Sequence, residues 1–345
     1  MDICICGGGN LGHVVAGKLS LNAGNRVSLL TRKPEKWSSG LEIINPQGKK
    51  DYGKLFAISD NPNEVVTNAD IVIVCLPGFA IHNELEKIKP FIRAGRNIVG
   101  SIVSSTGFFF EAHKILAKEI PLFGFQRVPY ISRIVEYGKI AEMKGCKSSI
   151  SMVVEHLDDK ENFRQEIEKL FQIPVKLLNN YYEVSLSNSN PLLHPARLYT
   201  MWKNWHSGIA YDSVSQFYTD WTDDASSLYI QMDNELQSLL SLLPVRKGCI
   251  PPVLEYYESC DVHSLTSKIS HIPAFKGILA PMLQTEIGYV PDVKSRYFTE
   301  DFPFGMRFII EIAEKLNFSV PTILEVYKWG TNLMNYPYRI SSMQR

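Results

Sequence analysis

Asp2-Ile3-Cys4-Ile5-Cys6-Gly7-Gly8-Gly9-Asn10-Leu11-Gly12 is the stretch that decides the fold. A short apolar run of β type feeds into a G-x-G-x-x-G turn. The residues that follow place Leu11, Val14, Val15, Leu19 and Leu21 at roughly helical spacing. Strand, glycine turn and helix in that order open a dinucleotide-binding βαβ unit. Gly7 permits the tight turn, Gly9 lets the backbone approach a pyrophosphate, and Gly12 lets the helix pack close to the strand. The pyrophosphate is expected over Asn10 and Leu11, where unpaired N–H groups and the helix dipole favour negative charge.

A second strand, Arg26-Val27-Ser28-Leu29-Leu30-Thr31, ends in Arg32-Lys33-Pro34. An NAD site usually carries an acid here that accepts from the ribose 2′-hydroxyl. Arg32 and Lys33 instead suit a 2′-phosphate, which a guanidinium binds in a fork. NADPH is therefore expected in preference to NADH, unless the two are solvated loop charges. Further strands follow at Ile71–Leu76, closed by Pro77-Gly78, and at Arg96–Ile102, with helices expected over Ala80–Ile92 and Phe108–Lys118. Pro77 stands at the carboxyl end of its strand, the side on which open α/β sheets bind ligands.

Alternating strands and helices imply a doubly wound α/β sheet of Rossmann type. From about Pro129 shorter β-type runs, Tyr130–Val135, Ser149–Val154 and Val175–Leu178, are expected to extend that sheet. A dinucleotide-binding domain over residues 1–180 is then followed by a mainly α-helical domain over 181–345. Helical periodicity there covers Leu198–Tyr218, Ala225–Leu243, Met306–Leu316 and Thr322–Met334, and the cleft between the halves is the expected active site.

The 36 basic and 36 acidic residues leave no net charge, so nothing provides a basic field for nucleic acid or a membrane surface. Cys4, Cys6 and Cys75 lie inside strand runs and read as small apolar residues, and the six cysteines lack metal-ligand spacing. No metal site is expected. With no leader-like start and no apolar run long enough to span a bilayer, a soluble, cytoplasmic protein follows.

Two later segments carry chemistry. Asn188-Ser189-Asn190-Pro191-Leu192-Leu193-His194-Pro195 holds one histidine among asparagines and prolines, an irregular stretch ahead of a helix. A histidine there can exchange a proton near neutral pH, or simply serve the start of the helix. Arg296-Tyr297-Phe298-Thr299-Glu300-Asp301-Phe302-Pro303-Phe304-Gly305 offers Arg296 to a carboxylate, or to a surface pair with Glu300 or Asp292. It offers Asp301 either as a helix N-cap or as the support of a histidine.

Together with the glycine turn, Asn188-x-Asn190-Pro191-x-x-His194-Pro195 and Arg296-Tyr297-x-Thr299-Glu300-Asp301-x-Pro303-x-Gly305 resemble the octopine/nopaline (opine) dehydrogenase family. The resemblance runs through nearly the whole chain. It implies an NAD(P)H-dependent oxidoreductase acting on CH–NH groups, which condenses an α-keto acid with an amino acid amine. It also implies His194 as the catalytic histidine, Asp301 as its carboxylate partner, and Arg296, with Asn190, as substrate contacts. A homodimer is compatible with it. Two other readings stand beside it: a ketopantoate-reductase-like or hydroxyacid-type NADPH reductase, for which Lys203 is the nearby lysine, and a non-catalytic NADPH-binding sensor.

Overall fold

The computed structural model describes residues 1–336. Residues 337–345 of the expected second domain lie outside the described residues. The chain forms two compact units, which divide after Ser187.

In chain order the strands of the first unit are β1 (Asp2–Cys6), β2 (Arg26–Leu30), β3 (Gly40–Ile44), β4 (Lys50–Lys54), β5 (Ala57–Ser59), β6 (Ile71–Val74), β7 (Ile98–Ser101), β8 (Leu122–Phe125), β9 (Tyr130–Glu136), β10 (Ile140–Cys146), β11 (Ile150–Glu155) and β12 (Val175–Leu177). Eight of them make one sheet in the order β12-β11-β8-β7-β6-β1-β2-β5. From β5 to β8 all neighbours are parallel, and β11 then pairs antiparallel with β8. This is the expected Rossmann-type sheet. β1 and β6 are apolar on both faces because helices cover both.

The helices of this unit are α1 (Asn10–Leu19), α2 (Pro62–Val65), α3 (Gly78–Ile88), α4 (Phe108–Ile115), α5 (Lys160–Phe171) and α6 (Tyr181–Ser185). α6 packs against β11 and so stays with the first unit, past the expected division at 180/181.

One expected run goes elsewhere. Tyr130–Glu136 does not join the main sheet but forms a second, four-stranded sheet in the order β4-β3-β10-β9. Along β9 buried Tyr130 and Ser132 alternate with exposed Ile131 and Arg133, the mark of a strand with one solvated face. α1 packs on β1 and β2 and also on all four strands of this second sheet. That double burial explains why Gly12 to Gly17 are buried without a polar face.

The second unit is mainly helical: α7 (Asn190–Trp202), α8 (Asp223–Leu240), α9 (Val253–Tyr256), α10 (Val262–Ser270), α11 (Arg296–Thr299), α12 (Arg307–Lys315) and α13 (Pro321–Leu333), with one hairpin, β13 (Met282–Thr285) and β14 (Gly288–Pro291). The helix expected over Leu198–Tyr218 is displaced. α7 begins at Asn190 with Pro191 in its first turn, where a missing N–H costs nothing, and ends at Trp202. Beyond it Gly208 takes a left-handed φ of 102°, and Tyr211 and Gln216 form bridges to Tyr289 and Leu279 that hold the chain extended. Tyr218 therefore lies in a loop. No described helix is long and apolar enough to cross a membrane.

Candidate active site

The glycine turn closes the carboxyl end of β1 against that of β6. Gly7 sits at φ +121°, and a Cβ there would meet the Cys75 carbonyl oxygen at 2.6 Å. Gly12 faces the Gly7 carbonyl so closely that any Cβ would run into it. Gly9 is different: a Cβ added there meets no protein atom within 4 Å. The first turn of α1 leaves the N–H groups of Asn10, Leu11 and Gly12 without intrahelical carbonyls. Open space over Gly9 beside those donors fits a pyrophosphate. Pro77 is the N-cap of α3, at the neighbouring strand end.

The turn is held from behind by Asn10, which the sequence already offered as a pyrophosphate contact, and by His13, which it did not single out. Asn10 Oδ1 accepts from the Ile134 N–H at 2.8 Å, so this side chain ties the turn to β9. Buried His13 lies tilted against Trp37 with ring centroids 4.0 Å apart. Its Nδ1 lies 2.9 Å from the Gly9 carbonyl, and its Nε2 accepts from the Gly138 N–H at 2.7 Å. This arrangement requires a neutral ring with the proton on Nδ1, and burial holds its pKa below the ordinary histidine value.

A group depressed in the folded state stabilises above its unfolded pKa and loses that contribution as pH falls through the folded value. The melting temperature is therefore expected to fall between about pH 7 and about pH 5, across the imidazole range. The fall should be shallower in His13→Gln, whose amide still offers an acceptor to Gly138. Equal slopes in the two proteins would remove His13 from the account.

At the end of β2, Thr31 is buried while Arg32 and Lys33 are exposed. Neither forms an ion pair within 4 Å among the described residues, although Arg32 acts electrostatically on Glu84, whose carboxyl is raised by burial.

In the second unit α7 and the segment after α11 converge. His194 lies in the second turn of α7, not ahead of the helix as expected. Its Nδ1 is 2.7 Å from Asp301 Oδ2, and both side chains are largely buried. Asp301 does stand at an N-cap position, ahead of the π-type turn Phe302–Met306, yet its side chain caps nothing and goes to His194. Gly305 allows that turn to pack on the Pro191 ring at the start of α7, where a Cβ would clash at 2.5 Å.

The other ring nitrogen, His194 Nε2, lies 2.7 Å from the Tyr218 hydroxyl. Burial, first, and then the neighbouring Tyr297 push the Tyr218 phenol well above its ordinary range. It therefore keeps its proton at any working pH. In the neutral ring, Nδ1–H donates to Asp301 and Nε2 accepts from Tyr218. Tyr297 meets the His194 ring edge-on at 4.5 Å and stacks on Phe217 at 4.7 Å. Arg197, buried one turn below His194, donates to the Phe217 and Asp220 carbonyls and so fixes the loop that carries Tyr218. Periodicity over this loop looked helical, which hid Tyr218.

Arg296 presents a side chain that is 83% exposed, with Glu300 at 3.7 Å. Asn190 is exposed at the start of α7, its backbone N–H donating to Asn188 Oδ1 at 3.3 Å. Lys203 is exposed at the C-cap of α7.

Residues 177–334 match the family model described as NAD/NADP octopine/nopaline dehydrogenase, alpha-helical domain. Just under half of the chain is thus similar to that family's helical domain. Residues 3–101 match a second model, ketopantoate reductase PanE/ApbA. Among curated relatives, tauropine dehydrogenase of Arabella iricolor is 28% identical, over 98% of this chain and 92% of its own length. Octopine dehydrogenase of Mizuhopecten yessoensis is 26% identical over 99% and 92%. An octopine dehydrogenase solved with NADH and L-arginine has the same fold, with a TM-score of 0.87 at 24% identity over 99% of this chain and 91% of that one.

Proposed function

We propose that this protein is an NAD(P)H-dependent oxidoreductase of the opine dehydrogenase type, reducing the imine formed between an α-keto acid and an amino acid amine. The observation that carries this reading is the buried chain Asp301–His194–Tyr218 within the family's helical domain. Reduction of the imine takes up one hydride and one proton. The dinucleotide supplies the hydride.

The proton is this chain's own task. Asp301 accepts from Nδ1–H and so fixes the tautomer in which Nε2 exchanges protons, and it stabilises the imidazolium. His194 delivers the proton toward the developing amine, with Tyr218 sharing it at Nε2. Arg296 binds a substrate carboxylate, since an exposed guanidinium with a distant partner loses little on exchanging it. Asn190 contributes a further polar contact.

In the first unit, Gly7, Gly9, Asn10, Leu11 and Gly12 hold the pyrophosphate, with Pro77 beside them. Arg32 and Lys33 favour a 2′-phosphate, hence NADPH over NADH. The partners are small molecules. A cytoplasmic setting accords with six free cysteine thiols.

The competing reading, a ketopantoate-reductase-like enzyme, draws on the match over residues 3–101. Its lysine would be Lys203, which stands roughly 13 Å along α7 from His194 at 1.5 Å per residue. Oxidation of NADPH and NADH against keto acids, with and without amino acids, separates the two. Opine chemistry requires both substrates together, whereas turnover with a keto acid alone would favour the simple reductase. In the same assay Arg32→Ala should raise KM for NADPH and leave that for NADH unchanged. Because the octopine dehydrogenase neighbour was solved with NADH, a native preference for NADH would return Arg32 and Lys33 to the role of solvated loop charges.

A further inference from the structure

Away from the residues assigned so far, the first unit brings two histidines and a carboxylate together. His113 lies in the last turn of α4, Glu155 ends β11, and His156 follows it. One ligand atom from each lies within 4.8 Å of the other two. His113 Nε2 is 2.8 Å from Glu155 Oε2, and the rings of His113 and His156 are 6.5 Å apart.

Successive strand residues point to opposite faces. His156 escapes that rule because its backbone turns left-handed, at φ 55°, so adjacent residues offer ligands to one point. Donor atoms bound tetrahedrally at ~2.0–2.1 Å stand about 3.3 Å from one another. The spread from 2.8 to 4.8 Å brackets that spacing, so small side-chain rotations suffice.

We propose that His113, Glu155 and His156 form a surface site for a divalent transition metal of the Zn²⁺ class, with water completing the shell. Two imidazoles and one carboxylate suit Zn²⁺, Cu²⁺ or Ni²⁺ and disfavour Mg²⁺ and Ca²⁺, which seek oxygen donors. The ion would staple the end of α4 to the end of β11. Tyr181, the first residue of α6, packs edge-on against the His113 ring at 4.9 Å, so α6 would be fastened with them.

Tag-free protein treated with a chelator and then titrated with Co²⁺ and Zn²⁺ tests the site. The expected result is one ion per chain, a visible Co²⁺ spectrum of low coordination number displaced by Zn²⁺, and a raised melting temperature. Mg²⁺ should not compete. His113→Ala and His156→Ala should each lose more than the ~10-fold typical of removing an outer-sphere support. Exposed His206→Ala controls for adventitious imidazole binding and should lose nothing. Glu155→Gln, close to isosteric, covers the case in which a histidine variant melts early. Absence of one-to-one binding, or undiminished binding in the His113→Ala/His156→Ala double variant, would overturn the proposal.

Discussion

His194→Ala is expected to lower kcat by about 10²–10⁴-fold, the usual contribution of a positioned proton donor, while dinucleotide affinity stays at its native value. The substitution strands two buried partners, Asp301 Oδ2 and the Tyr218 hydroxyl, which now share one ring. Leaving such groups unsatisfied costs ~1–3 kcal/mol, so the melting temperature has to be followed alongside turnover. Two gentler variants separate chemistry from folding. Asp301→Asn keeps the shape but can present an amide N–H to Nδ1, which favours the ring tautomer with its proton on Nε2. Turnover should drop steeply with little change in KM.

Tyr218→Phe keeps the stack on Phe275, at 4.0 Å between centroids, and removes only the hydroxyl. If Tyr218 shares the transferred proton, kcat falls and the pH profile of kcat moves. If the residue is merely packed there, both stay put. Stopped-flow oxidation of NADPH in the presence of both substrates reads all three variants. Native turnover in His194→Ala would sink the assignment, and parallel loss of cofactor binding would make the histidine structural.

The parts of this centre differed in how openly the sequence displayed them, for physical reasons. A β-branched run such as Ile71–Val74 is legible because burial on both faces demands apolar residues at every position. The glycine turn is legible because its backbone geometry excludes side chains. β3 and β4 left no such trace: Lys50-Asp51-Tyr52-Gly53-Lys54 is a charged edge strand, and its neighbour buries only alternate residues. Asp301 carried two local readings, N-cap and histidine partner. Tertiary packing decides between them: the turn after Asp301 lies against Pro191 at the start of α7, and the carboxylate meets His194 Nδ1 while capping no backbone N–H. Tyr218 could not be found by periodicity, because its position depends on Arg197 gripping two loop carbonyls. His13 was equally hidden. It looks like one more buried position on α1, yet it braces Gly9 from behind.

The second large effect is expected at Gly12, where a Cβ has no room beside the Gly7 carbonyl. Gly12→Ala must push α1 away from β1, and overpacking of this kind costs ~1–3 kcal/mol. The free protein relieves the strain by letting the helix shift. Under the proposed placement, dinucleotide binding needs the first-turn N–H groups back in place and so has to restore it. At about 1.4 kcal/mol for each factor of ten, the dissociation constant of the nicotinamide dinucleotide should rise by roughly 10–100-fold. The melting temperature should fall as well, which by itself leaves a folding defect as the simpler account.

Gly9→Ala removes that ambiguity. Gly9 has φ −86° and ψ −174°, an extended conformation that alanine adopts freely, and its Cβ would meet no protein atom within 4 Å. Stability should therefore be unchanged, while the new methyl group occupies the space over the helix start and weakens NADPH binding. Fluorescence titration with NADPH beside a thermal melt distinguishes the two variants. Native affinity in Gly9→Ala would place the dinucleotide somewhere other than this turn.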